Sequence, residues 1–420
     1  MSSVRVMPAV FSGEVTLPPS KSDVHRAILC ASLSKGKSVI SPVDLSQDIS
    51  ATIDCARALG AEITVEGSTA YVDGTKLFEN KEAVLDCRES GSTLRFFIPV
   101  AGVGGVNTTF IGKGRLPERP IGIYLDCLPK AGIKCETEGG LPLKISGTLQ
   151  AGEFVVPGNV SSQFITGLLL ALPLTGEDCK ITLASPLQSV GYINMTIRTM
   201  KEFGVAVETT DDGYFIKGNQ HYKPCNYTCE GDWSQAAFFM ASGALGGDVT
   251  LKGLRTDSIQ GDRECMEIFR KFGAEIIVGD NEINVRSKEL KGIDIDATQI
   301  PDLVPILAVT ASFAEGTTNI YGAERLRIKE SDRLNAICTC LNKIGCDVTE
   351  KPDGLIINGI KQATGGQVEG YNDHRIVMSM SMAVEKSSLP IEITDKESIN
   401  KSYPAFFEDY KKIMGKVEEI

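Results

Sequence analysis

The sequence predicts an α/β protein made of six copies of one unit of 70 residues, and three observations point to it. The first is a ladder of residues suited to opening helices: Ser22, Ser92, Ser162, Asp232, Asp302 and Asn372 recur at a constant interval of 70, each before an apolar, helix-like run. Six such intervals make 420, the length of the chain. The second is a glycine ladder. Gly60, Gly132, Gly204, Gly273, Gly345 and Gly415 each end an amphipathic segment, at steps of 72, 72, 69, 72 and 70, as C′ glycines do. The third is a hairpin signal after five of these glycines, such as Ala61-Glu62-Ile63-Thr64-Val65 followed by Tyr71-Val72, or Ala274-Glu275-Ile276-Ile277-Val278 followed by Ile283-Asn284-Val285.

In chain order each unit reads as helix, connection, helix and paired strands. Extra strands such as Thr108-Thr109-Phe110-Ile111 and Asp248-Val249-Thr250-Leu251 fall between the two helices. Only five residues follow Gly415, so the sixth hairpin needs a strand from elsewhere. The alternating Val4-Arg5-Val6-Met7 is the candidate, which would bring both termini into one lobe.

A length of 420 residues with 42% hydrophobic composition suggests two or three domains with sizeable cores. The first 30 residues lack a signal-peptide core, and the longest apolar run, Leu168 to Leu174, contains Pro173 and is too short to span a bilayer. A cytoplasmic protein with no membrane partner is expected. Twelve cysteines without a Cys-x-x-Cys pair read as reduced core residues, Cys30, Cys55 and Cys338 on apolar helix faces among them. Three histidines show no metal-ligand spacing, so no metal site is expected.

The net charge of −11 argues against a nucleic-acid partner. Cations nevertheless gather locally: Lys21 and Arg26 at one helix start, Lys113, Arg115 and Arg119 in a Gly/Pro-rich loop, Lys329 and Arg333 at another helix start, and Arg375 and Lys401 near the end. Such concentration in an acidic chain suggests a small, highly anionic ligand. Nucleotide-type phosphate loops are missing, and Gly102-Val103-Gly104-Gly105 reads as a turn. Ser20-Lys21-Ser22, Ser90-Gly91-Ser92-Thr93 and Ser161-Ser162-Gln163 instead present hydroxyls and free backbone N–H groups at helix N-termini, where Gly91 lets a ligand approach the backbone. The second half places acids in the corresponding positions: Asp232, Asp302, Glu330 and Asp332, with His374. Asp302 lies in Ile300-Pro301-Asp302-Leu303-Val304-Pro305, whose apolar flanks predict a raised proton affinity and a general base.

Over essentially its whole length the chain resembles the 5-enolpyruvylshikimate-3-phosphate synthase family. The resemblance rests on Leu17-Pro18-Pro19-Ser20-Lys21-Ser22 with Arg26-Ala27, Leu116-Pro117-Glu118-Arg119-Pro120-Ile121-Gly122, Ser161-Ser162-Gln163, Pro301-Asp302, Lys329-Glu330-Ser331-Asp332-Arg333 and Asn372-Asp373-His374-Arg375, in the family's order and spacing. It implies a two-lobed, inside-out α/β barrel of six β-α-β-α-β-β repeats. Residues 1–19 and 231–420 would form the lobe with both termini, residues 20–230 the second lobe, mainly for shikimate 3-phosphate, with the active site in the cleft between them.

The resemblance also implies a reaction: transfer of the enolpyruvyl group of phosphoenolpyruvate to the 5-hydroxyl of shikimate 3-phosphate, with release of phosphate and no cofactor. Position by position it assigns Ser22, Arg26, Ser161, Ser162, Gln163, Ser189, Tyr192, Asp302 and Lys329 to shikimate 3-phosphate, with Ser161, Ser162, Ser189 and Lys329 on its phosphate. Lys21, Arg119, Arg333, Arg375 and Lys401 would hold phosphoenolpyruvate beside Gly91. Asp302 would take the hydroxyl proton, while Glu330, with Lys21 and His374 nearby, would protonate the methylene carbon. Two positions depart from the family's usual asparagines, Glu89 and Arg325, and leave polar details of the substrate site open. The rival UDP-N-acetylglucosamine enolpyruvyl transferase carries a reactive cysteine in the loop corresponding to Gly112-Lys113-Gly114-Arg115-Leu116-Pro117, where this chain has none. A noncatalytic repeat scaffold binding a phosphorylated ligand is the alternative of another class. Family members are often monomers, and a monomer is expected.

Overall fold

A computed structural model describes residues 2–280 and 282–420. Contacts divide the chain into two compact units, one running to Pro18 and resuming over Glu230–Ile420, the other Pro19–Cys229. Each unit has three four-stranded sheets among the described residues.

The helices explain the inside-out arrangement. Lys21–Leu33, Gly91–Val103, Ser162–Ala171, Trp233–Leu245, Val304–Ala311 and His374–Ala383 are almost wholly buried, and every residue of the last three is. A helix apolar around its circumference has to lie inside. The sheets carry the complementary pattern, with buried and exposed positions alternating along strands such as Asp248–Lys252, which suits a sheet that has one solvated face.

Three sheets are built from consecutive strands. Glu82–Asp86 and Asn107–Ile111 run parallel, Leu143–Gly147 joins the latter antiparallel, and Ile133–Glu136 closes the hairpin at the edge. The other three each borrow a strand from a distant part of the chain. Asn226–Thr228 pairs with Lys37–Ser41, Ser12–Thr16 with Asp248–Lys252, and Val4–Met7 lies between Ile391–Ile393 and Lys416–Glu419. Val4–Met7 therefore completes the sixth hairpin. Val4–Met7 and Ser12–Thr16 thus serve two sheets of the unit to which the C-terminus belongs.

The two ladders are real repeats, but their residues do not all play the part the spacing predicts. Gly60, Gly132, Gly204, Gly273 and Gly345 all have positive φ, between 79° and 113°. At the sixth step Met414 takes the left-handed conformation, with φ 68°. Gly415 is needed for a different reason, because a Cβ there would run into the Tyr410 ring. Of the six predicted helix starts, only Asp232 is an N-cap; the others are Ser20, Ser90, Ser161, Leu303 and Asp373. An N-cap needs non-helical backbone. Ser22, Ser92 and Ser162 already lie inside their helices, Asp302 sits in the 3-10 turn Pro301–Leu303, and Asn372 precedes its cap with φ 47°.

Candidate active site

In the unit that contains the C-terminus, residues at the starts of three helices meet around one guanidinium, and a fourth helix start joins them through Arg375. Arg333 opens Arg333–Lys343 and is almost fully buried. Its Nε and Nη2 donate to Asp373 at 2.8 and 3.2 Å, Nη2 to Glu330 at 2.8 Å, and Nη1 to Asp302 Oδ1 at 2.9 Å. Asp373 caps the helix His374–Ala383 and also accepts from the Arg375 N–H and the Ser331 hydroxyl, each at 2.9 Å. Arg375 donates to the Asp302 carbonyl at 2.9 Å and to Ser234, in the first turn of Trp233–Leu245, at 3.0 Å. Lys329 Nζ lies 3.4 Å from Asp302 Oδ1, Lys401 donates to the Asn372 carbonyl at 2.6 Å, and the buried His374 ring has Nδ1 3.8 Å from Asp373. Helix N-termini carry partial positive charge, so their convergence adds to these cations.

This geometry corrects the expectation for Asp302. Burial does push its proton affinity up, but Lys329, Arg375 and Arg333 together outweigh burial and hold the carboxyl well below its usual range. The apolar flanks were a sound reading of desolvation; the cations come from residues 27, 73 and 31 positions away and are invisible locally. For Arg333, burial disfavours the charged form, yet Asp373, Glu330 and Asp302 raise its proton affinity above the ordinary arginine value.

In the unit Pro19–Cys229, Lys21 pairs with Asp48 at 2.7 Å, and Arg26 is buried. Arg26 donates to Thr196 Oγ1 at 2.8 Å, to the Ser22 carbonyl at 2.6 Å and to the Tyr192 carbonyl at 2.9 Å. Burial pulls its pKa down to about 10, against the opposing pull of Asp23. Ser189 precedes the helix Val190–Glu202 in a left-handed conformation, φ 56°, a strained state for serine that places Tyr192 in the first turn. Gln163 accepts from Arg95 at 2.8 Å and donates to Ser92 at 3.0 Å, which fixes its amide. Ser161 caps the helix that Ser162 begins, accepting from the Gln163 N–H at 3.3 Å. Gly91 lies against two guanidinium groups: a Cβ there would stand 2.7 Å from Arg95 Nη1 and 2.8 Å from Arg119 Nη1.

Each unit thus gathers its own share of the residues singled out from sequence. Asp302, Lys329, Glu330, Arg333, His374 and Arg375 form one network, with Lys401 bonded to the backbone of Asn372 beside it. Arg26, Ser22 and Tyr192 form a second, Gly91, Arg119 and Gln163 lie around Arg95, and Ser161 and Ser162 open the helix that carries Gln163. Sequence reasoning missed Asp48, Arg95, Ser234 and the hub role of Asp373. Arg95 had a local signal, since it stands four residues after Gly91 on the same helix face. Asp48 and Ser234 had none, because their partners are distant in sequence. Of the two departures, Arg325 is buried and donates to the Thr298 carbonyl at 2.6 Å, and Glu89 packs over Gly114.

Fold and site together define a two-unit α/β protein whose helix starts concentrate cations for small anions. Known proteins with this arrangement were found by sequence and by structure. The family described as EPSP synthase (3-phosphoshikimate 1-carboxyvinyltransferase) matches residues 7–410. Proteins named 3-phosphoshikimate 1-carboxyvinyltransferase from Clostridium perfringens and Clostridioides difficile are 46% and 44% identical, covering 100% of this chain and 100% and 99% of their own lengths. The solved EPSP synthase of Acinetobacter baumannii superposes with a TM-score of 0.84 at 27% identity, covering 100% of both chains. The chain belongs to the EPSP synthase family.

Proposed function

We propose that this chain transfers the enolpyruvyl group of phosphoenolpyruvate to the 5-hydroxyl of shikimate 3-phosphate, releasing inorganic phosphate, on the route to chorismate and the aromatic amino acids. The observation that carries the site-level reading is Arg333, which gathers Asp302, Glu330 and Asp373 at helix starts beside Lys329 and Arg375. Two multiply charged anions repel, and bringing them into contact requires a dense array of cations with fixed geometry. On this reading Pro19–Cys229 supplies most contacts to shikimate 3-phosphate and the other unit supplies the acid and base.

Binding itself switches on the base. In the free protein Asp302 is a poor proton acceptor because three cations face it. When Lys329 turns to the acceptor's phosphate and Arg375 and Arg333 to phosphoenolpyruvate, burial dominates and the carboxylate gains basicity. Asp302 then removes the proton of the 5-hydroxyl as its oxygen attacks C2 of phosphoenolpyruvate. Glu330, with Lys21 and His374, delivers a proton to the methylene carbon. The tetrahedral adduct loses a methyl proton and phosphate, which restores the double bond. Oxidation states do not change, so the atoms balance without a cofactor. Exclusion of water strengthens each charge contact.

The protein works as a monomer in the cytoplasm on this reading. The twelve free thiols suit a reducing compartment, and among the described residues no helix is long and apolar enough to cross a membrane. The test is phosphate release from phosphoenolpyruvate with shikimate 3-phosphate, and with UDP-N-acetylglucosamine in parallel. Release with the first acceptor alone is expected; release with the amino-sugar acceptor alone overturns the assignment, and binding of both substrates without turnover would favour a scaffold.

A further inference from the structure

His25 has no part in the mechanism, yet it ends a buried chain of hydrogen bonds. His25 Nδ1 and Thr52 Oγ1 lie 2.7 Å apart, Thr52 Oγ1 and Thr93 Oγ1 2.7 Å, and Thr93 Oγ1 donates to Ser90 Oγ at 2.8 Å. None of the four side chains is more than 1% exposed. They tie together three helices near their starts, Lys21–Leu33, Gln47–Ala58 and Gly91–Val103. Buried polar groups are costly unless paired, and apolar residues of similar volume would fill the same space without that risk. The chain's neighbours suggest what it is for. Lys21, Ser22 and Arg26 bracket His25, Lys21 pairs with Asp48 one turn before Thr52, and Gly91 follows Ser90.

The direction of the chain depends on the imidazole. With the proton on Nδ1, His25 donates to Thr52, Thr52 to Thr93 and Thr93 to Ser90, so the Ser90 proton is left to be donated outside the chain. With the proton on Nε2, the order can reverse, and the Ser90 proton is then used on Thr93. Nε2 has no hydrogen-bond partner among the described residues. A buried N–H without an acceptor is the rarer and costlier arrangement, which favours the Nδ1–H form. Burial, with Lys21 and Arg26 nearby, holds the imidazole's proton affinity well down, in keeping with one bare ring nitrogen. The ring edge also packs on Phe96, with centroids 6.3 Å apart, so its orientation is fixed.

We infer that His25 is a positioning residue for the phosphoenolpyruvate half-site: through Thr52 and Thr93 it directs the Ser90 hydroxyl as a donor beside Gly91 and holds the three helix starts in register. The inference rests on the proposed function, which puts phosphoenolpyruvate at Gly91.

The test compares His25→Leu, His25→Asn, Thr52→Val and the His25→Leu/Thr52→Val double variant by steady-state phosphate release, varying each substrate in turn. Thr52→Val is close to isosteric and carries the test if His25→Leu folds poorly. His25→Leu and Thr52→Val should each raise KM for phosphoenolpyruvate about 3- to 10-fold, the loss expected for one buried hydrogen bond. KM for shikimate 3-phosphate should stay within about twofold. His25→Asn, which can place an amide group near the Nδ1 position, should restore most of the loss. The double variant should lose no more than either single one, because both changes cut the same chain. An unchanged KM for phosphoenolpyruvate, parallel rises for both substrates, no rescue by asparagine, or additive losses would each overturn the inference. Failure of the unaltered protein to release phosphate from the two substrates would instead remove the functional reading beneath it, and the two failures are told apart by that control.

Discussion

Replacing Asp302 by asparagine separates the two roles that its surroundings give it. Asparagine keeps the shape and one acceptor oxygen but cannot take a proton, so turnover should fall about 10²–10⁴-fold, or about 3–5 kcal/mol of barrier. Folding should survive. Arg333 would keep Asp373 at 2.8 Å and Glu330 at 2.8 Å, so its buried charge stays paired, but Lys329 and Arg375 also lose the negative charge they face, and the cost should be that of a charged hydrogen bond, about 1.5–3 kcal/mol. In a unit of this size that corresponds to a Tm lower by about 3–12 °C. Binding of either anionic substrate should hold or tighten, since a negative charge leaves the cage. The pH behaviour is equally specific. The carboxyl is depressed in the free protein, so kcat/KM of the parent should show no Asp302 limb above the usual carboxylate range, whereas kcat should fall on acidification at a higher pH, where substrates have taken its cations. Depression also means that the group stabilises the fold above its unfolded pKa, and that this contribution disappears as pH falls through the lower folded value, a loss the asparagine variant should not show. Single-turnover phosphate release, substrate calorimetry and thermal melts read these quantities. Turnover within tenfold of the parent, or binding lost in step with turnover, would refute the reasoning.

Gly91→Ala would put a methyl group 2.7 to 2.9 Å from the Arg95 and Arg119 guanidinium groups, rather than straight at a ligand, so Arg119 must shift. Phosphoenolpyruvate affinity measured by calorimetry should weaken by about 1–3 kcal/mol, with shikimate 3-phosphate nearly unchanged. Arg26→Lys cannot reach Thr196, Ser22 and Tyr192 together; it should raise KM for shikimate 3-phosphate and lower stability by about 1–3 kcal/mol, read by phosphate release and urea unfolding. Glu385 is partly buried with Phe11 N–H as its donor, and desolvation pushes its pKa up to about 8. Because the folded value exceeds the unfolded one, this residue's contribution is fully present below the ordinary carboxylate range and is lost as pH rises through about 8. Glu385→Gln should remove that alkaline loss of stability, seen as a flatter dependence of Tm on pH between 6 and 9.

The repeat was legible because backbone requirements recur: five glycines take positive φ at the ends of equivalent segments, and no distant partner is needed to see them. The strand Val4–Met7 was legible by subtraction, since a hairpin lacked its mate. Helix starts were less so. Ser20 and Ser22, or Asp302 and Leu303, differ only in backbone state, which composition does not encode. In the candidate site the residue types could be picked out, but not their wiring. Asp373 accepts from Ser331 and Arg333, 42 and 40 positions away, and Lys329, Arg375 and Arg333, none of them a sequence neighbour, set the proton affinity of Asp302 against its local surroundings.

The central claim is an addition and elimination in which the donor's methylene carbon becomes a methyl group for the life of the intermediate. It is tested most directly by running the reaction in deuterium oxide and analysing the product and recovered phosphoenolpyruvate by proton NMR and mass spectrometry. On the proposed role of Glu330, whose acid proton would exchange with solvent between turnovers, deuterium should enter the vinyl methylene of both compounds, and only when shikimate 3-phosphate is present. Product formed at full rate with no deuterium at that carbon, or exchange into phosphoenolpyruvate without the acceptor, would contradict the account.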